Sequence, residues 1–162
     1  MSGKPNVIIM GVIIVVLGVV GSAYVNVLDT GDETQPITWA DPDNIAMVEQ
    51  GGPIYAEFCA SCHGGNLEGQ PNWRAKGQDG RMLAPPHDAS GHTWHHPDQL
   101  LFAITKDGGQ KKAPEGFISG MPGFGDILSD GEILASLAYI KSRWPEEIRK
   151  RHALMMERMK AN

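Results

Sequence analysis

"FCASCHGG", residues 58–65, is the stretch on which the reading of this chain turns. Two cysteines flank two small residues, and His63 follows Cys62 directly. The pattern suits a redox dithiol, part of a zinc site, or covalent attachment of a haem. A structural zinc site needs about four ligands. Cys59 and Cys62 are the only two cysteines, and His87, His92, His95 and His96 offer nitrogens at a spacing that matches no common finger. A thioredoxin-type dithiol should follow a strand in a β-α-β unit, whereas the residues before Cys59 pattern as helix. A haem uses every part of the motif. Each thiol meets one vinyl group, the two-residue gap sets that spacing on a helical turn, and His63 falls beneath the iron as proximal ligand.

The rest of the chain supplies context. Its 162 residues suit one small domain with appendages. With 20 Gly and 11 Pro and only 7% aromatics, much of the domain should be loop. Small loop-rich domains usually need a cofactor, metal or disulfide as staple. The net charge of −5, with no Lys/Arg cluster among aromatics, argues against nucleic acid. "VIIMGVIIVVLGVVGSAYVNV", residues 7–27, carries no charge; as a helix it spans roughly 30 Å, the hydrocarbon thickness of a bilayer. Lys4 precedes it, and Asp29, Asp32 and Glu33 follow. By the positive-inside rule the remainder is exported. Residues 1–28 are thus expected as a single-pass anchor, Gly18 and Ser22 offering a small-xxx-small pair. The competing expectation is a signal peptide cleaved after "GSA" at Ala23; either way the domain is exported. Covalent haem attachment in bacteria occurs outside the cytoplasmic membrane, so export favours the haem reading.

Residues 29–44 read as a polar linker. A helix is expected from Ile45 to about Cys59, capped by Asn44, then loop from Gly64 to His96. A helix from Pro97 to Lys106 has Pro97 at its first position. Gly108 to Gly125 is loop. Ser129 to Arg143 is a helix opened by the capping box "SDGE", with Ile133, Leu137 and Ile140 as its apolar face and Leu134, Ala138 and Tyr139 broadening it. A last helix over residues 145–162, with Pro145 at its first position, places Ile148, His152, Met155 and Met159 on one face that packs on the domain. Glu146–Lys150 and Glu147–Arg151 are i,i+4 pairs along it. No strand pattern is evident.

The pieces "GGPIYAEFCASCHGG", "LAPP", "SGMPGFG" and "SDGEILASLAYIKSRW" resemble a class I cytochrome c domain of the bacterial, membrane-anchored, single-haem kind, over residues 45–144. The resemblance implies an all-α fold wrapped round one covalent haem c, here with an N-terminal transmembrane helix and an extra C-terminal helix. It implies that Gly51 packs closely on the last family helix, with Tyr139 and Ile140 as partners; a helix break at Gly51-Gly52-Pro53 is the alternative. It implies that the carbonyl of Pro85 or Pro86 accepts the proton of the outer His63 nitrogen. Met121, in a Gly-rich loop ahead of the last family helix, is the expected sixth ligand, with a loop histidine as alternative. Apart from the resemblance, Trp94 is expected to cover the haem, and Arg81, Trp73 and Arg74 are candidates for contact with its propionates, free surface positions for the arginines being the alternative. Three of the four histidines in "HDASGHTWHH", residues 87–96, are candidates for a copper site; otherwise this is a solvated loop.

The implied function is single-electron transfer without catalysis in a respiratory or photosynthetic chain. The carrier would run between a quinol-oxidising complex and a terminal oxidase or other acceptor, tethered to the inner membrane with its haem domain in the periplasm. The alternatives are a fixed subunit of a larger redox complex, held through the anchor or the C-terminal helix, and a haem or copper sensor or metal-handling protein.

Overall fold

The computed structural model describes residues 39–160. The expected membrane anchor and most of the linker lie outside the described residues. Among those described, no helix is long and apolar enough to cross a membrane.

Asn44 accepts the Met47 N–H at 3.1 Å and so caps α1, Ile45–Phe58. Met47, Gly51 and Tyr55 recur every fourth residue and form its buried face. The helix runs through Pro53 without a break. Gly51 is there for contact: a Cβ at this position would overlap the carbonyl of Ala135. The expected close approach is thus present, but against Ala135 and Ser136, while Tyr139 lies beside Gly52. The difference is one helical turn of α4, because the crossing falls where α4 itself carries small residues.

After Cys59 a single turn, α2, spans Ala60–His63. The long stretch that follows contains a 3-10 turn at Thr93–His95 and isolated bridges from Met82 to Lys76 and to Ser119. Helix α3, Asp98–Asp107, begins one residue later than expected. Pro97 is extended there (ψ 156°) and serves as the cap, its carbonyl accepting the Leu100 and Leu101 N–H groups. A second 3-10 turn covers Gly109–Lys112.

Helix α4, Asp130–Ser142, opens on the expected capping box. Glu132 N–H donates to Ser129 Oγ at 3.3 Å, and Ser129 N–H donates to Glu132 Oε2 at 2.8 Å. Its residues from Ile133 to Ala138, with Ile140 and Lys141, are buried, so it is the central helix of the domain. Helix α5, Glu146–Lys160, has Pro145 as its cap and not as its first residue, since that carbonyl accepts the Ile148 and Arg149 N–H groups. Its packed face differs from the expected stripe. Ile148, His152 and Met156 face the domain, whereas Met159 is 47% exposed. Four-residue steps from Ile148 lead to Met156; Met155 and Met159 lie on the flank.

One buried polar cluster was not visible in the sequence. Lys141 Nζ donates to both Asp98 oxygens at 2.9 and 2.8 Å and to the Ala40 carbonyl. Ala40 N–H donates to Asp98 at 3.1 Å. His152 Nε2 donates to the His96 carbonyl at 3.0 Å and lies 3.6 Å from Asp98. The chain before α1, the start of α3, α4 and α5 are thereby joined at one point.

Candidate cofactor site

Local hydrogen bonding shapes the cysteine motif. Cys59 N–H donates to Tyr55 O, ending α1, and Cys62 and His63 N–H both donate to Cys59 O. The five residues thus form the helical turn that the spacing predicted. Both cysteines are free thiols, Cys59 half-buried and Cys62 exposed. Burial, and then the neighbouring Cys62, pushes the Cys59 thiol up to about 11. A dithiol nucleophile has its pKa lowered, so this pair is poorly suited to disulfide exchange.

His63 is 7% exposed. Its Nδ1–H donates to Pro85 O at 2.8 Å, which fixes the tautomer and leaves the Nε2 lone pair available. Burial lowers its pKa, against the opposing effect of the Pro85 bond, so the ring is held neutral. Between the two prolines considered, Pro85 makes this bond; Pro86 is buried and accepts from Thr93 Oγ1.

The loop closes round His63 through its backbone. Gly69 N–H donates to His63 O at 2.7 Å, Gln70 N–H to Ala84 O, and His87 N–H to Leu67 O. Gly69 has φ +68°, and a Cβ there would overlap Pro86. Tyr55 Oη donates to Gly64 O at 2.8 Å from the α1 side.

His87 has a place that its sequence neighbours did not reveal. Its ring stacks on His63, centroids 4.0 Å apart and planes 22° apart. Thr93 gives its hydroxyl proton to Pro86 O, so His87 Nδ1–H donates to Thr93 Oγ1, at 2.8 Å. Trp144 Nε1–H donates to the His87 carbonyl. Burial, and then His63 and His92, depress His87 well below the usual histidine value. The signal that could have found it is its position directly after the two prolines.

The loop histidines considered as candidates for a copper site do not converge on one point. His87 faces His63, His92 stacks on Trp73 at 5.2 Å, and His95 stands against Trp94. No group of three or more His, Cys, Asp or Glu among the described residues is placed to hold a metal. His92 and His96 approach each other, ring centroids 5.3 Å apart, but His87 and His95 turn elsewhere.

Met121 is half-buried in a segment fastened to the end of α3. Gly109 N–H donates to Met121 O, Phe124 N–H to Thr105 O and Gly125 N–H to Lys106 O. At Gly123 a Cβ would come within 2.9 Å of the Asp107 and Lys106 backbone. The glycines of "GMPGFG" thus let the loop lie on the helix end. Arg81 is exposed, pairs with Asp79 and lies against Gly120. Arg74 stands over Trp73 at 4.0 Å.

These residues fit a haem. Two free thiols and a neutral imidazole with a free Nε2 share one turn, and Trp94 Nε1 and His92 Nδ1 are buried with no partner. Buried nitrogens are rarely left unpaired, and propionate oxygens would satisfy the two. In comparisons with known proteins, the family model described as Cytochrome c matches residues 48–144. No curated protein and no solved structure matches the chain.

Proposed function

Since the chain belongs to the cytochrome c family and is a haem-containing electron-transfer protein, we propose that it carries single electrons on one haem c joined to Cys59 and Cys62, with His63 and Met121 as axial ligands. The observation that carries this reading is the buried His63, its Nδ1–H fixed on Pro85 O immediately after the two thiols. When bound, the haem supplies a one-electron couple at its iron.

The protein residues perform the remaining tasks. His63 is oriented as a neutral donor, and the Pro85 bond raises its basicity. The Met121 thioether is a weak, soft ligand that favours the ferrous state and raises the potential. The bonds from its loop to Thr105, Lys106 and Gly109 fasten that loop to the end of α3. Were His63 and Met121 both to hold the iron, no position would remain for a substrate, which suits outer-sphere transfer. Trp94 Nε1 and His92 Nδ1, both buried without a partner, are assigned to the propionates.

The same proposal places the domain in the periplasm, tethered to the inner membrane by residues 7–27, between a quinol-oxidising complex and a terminal oxidase. Support comes from the uncharged N-terminal stretch and its flanking charges.

The test is optical spectroscopy of the ferric protein beside Met121→Ala. Wild type should show the weak far-red sulfur-to-iron charge-transfer band, and the variant should lack it. A pyridine haemochrome assay should give one haem per chain with both thioether bonds formed. Absence of the band in wild type would mean an open or nitrogen-held sixth position and would overturn Met121 ligation, in favour of a sensor or enzyme if open and of a low-potential carrier if nitrogen-held.

A further inference from the structure

His95 departs from the other loop histidines. Its exposed ring stands edge-on to Trp94, centroids 3.8 Å apart, and makes no hydrogen bond among the described residues. Met155 and Met159 of α5 line the same groove as Trp94 and His95. Four-residue spacing puts both thioethers on one helix face, one turn apart.

An apolar stripe on a helix normally serves packing, and here Ile148 and Met156 already do so. The sulfurs of Met47 and Met156 each accept a backbone N–H, from Asp41 and Asp98. Those of Met155 and Met159 accept none among the described residues. The groove therefore brings together two uncommitted thioethers and an uncommitted imidazole.

We propose that His95, Met155 and Met159 bind a monovalent copper ion, with the Trp94 ring as an aromatic wall. Thioethers are soft donors that select Cu(I), and imidazole also suits copper; calcium and magnesium need oxygen ligands. No carboxylate lines the groove. Arg151 and Arg158 do line it, with the Arg151 guanidinium 4.8 Å from the Trp94 ring. Their charge opposes a dication twice as strongly as a monocation. Thioether and imidazole donors beside positive charge thus select against hard or doubly charged ions. The site is separate from His63 and Met121 and does not depend on their assignment.

The full haem-loaded chain in detergent is dialysed anaerobically against chelator-buffered Cu(I), and bound copper is counted by atomic emission. One copper per chain is expected, with sulfur and nitrogen neighbours in its X-ray absorption. Loss of a group that merely supports a metal ligand already costs about 10–100-fold in affinity. Met155→Leu with Met159→Leu should therefore weaken binding by about 100-fold or more. His95→Phe, which keeps a ring against Trp94, should weaken it as well, and Arg151→Gln should tighten it. The haem spectrum, unchanged throughout, is the control for folding. No copper on the wild type, undiminished copper on the double variant, or zinc bound in preference to Cu(I) would overturn the proposal.

Discussion

His63 and His87 show how one side chain can be prepared by another. The Pro85 bond fixes one end of the His63 ring, and the stacked His87 ring limits rotation about that bond. His87→Phe should keep the stack and leave the haem-methyl proton shifts of the ferric protein close to wild type. His87→Ala should free the ring, alter those shifts, and reduce stability by about 1–3 kcal/mol through the lost bond to Thr93. Equal spectra for both variants would remove the positioning role from His87. The cysteine motif announces His63 in the sequence; only its position directly after Pro85 and Pro86 sets His87 apart from His92 and His95, and its place against His63 arises when the loop folds over Leu67.

At the scale of helices, the crossing of α1 on α4 depends on a missing side chain. Gly51→Ala forces a methyl into the Ala135 carbonyl, so the helices must separate. Overpacking of this kind costs about 1–3 kcal/mol, and here, against backbone, the upper end or beyond is expected in urea unfolding. Gly131→Ala is the contrasting case. Nothing lies within 4 Å of the added methyl, and the helical backbone accepts it. It should stabilise by about 0.4–1 kcal/mol. The capping box and the helices were legible because their signals are local. The partner of Gly51 was misplaced by a turn, since the sequence of α1 says that something approaches closely but not which residue of α4 it is.

The whole domain is joined by the Asp98–Lys141–His152 cluster, whose members come from three helices and are 2%, 6% and 2% exposed. Burial lowers the Lys141 pKa, although Asp98 opposes the shift. Removing one partner of a buried pair strands a charge and costs about 3–5 kcal/mol, whereas replacing both with apolar residues is often neutral. Asp98→Ala should therefore lower the urea midpoint strongly, and Asp98→Leu with Lys141→Met much less. A pH dependence accompanies the cluster. Burial, and then Lys141, lower the His152 pKa against the pull of Asp98 and the His96 carbonyl. Below about pH 6.5 the unfolded chain binds a proton that the folded chain refuses. The stability contributed by neutral His152 is thus full above that value and is lost as pH falls toward the lowered folded pKa. The loss approaches about 1.4 kcal/mol per pH unit within that window. Unfolding measured at pH 8 and pH 5.5 should show a larger loss for wild type than for His152→Gln.

The sequence by itself determined the helical class, the Asn44 cap of α1, the capping box of α4, and the cysteine turn with the histidine that follows it. All of these depend on residues within a few positions of one another, so spacing along the chain encodes them. Tertiary structure alone decided that Pro85 holds His63, that His87 stacks behind it, that Gly51 meets Ala135, and that Met156 instead of Met159 is buried. It alone brought Lys141 to Asp98 and His95 to the methionines of α5. These pairings join residues far apart in the chain, and their choice depends on which helix faces meet once the apolar surfaces are packed.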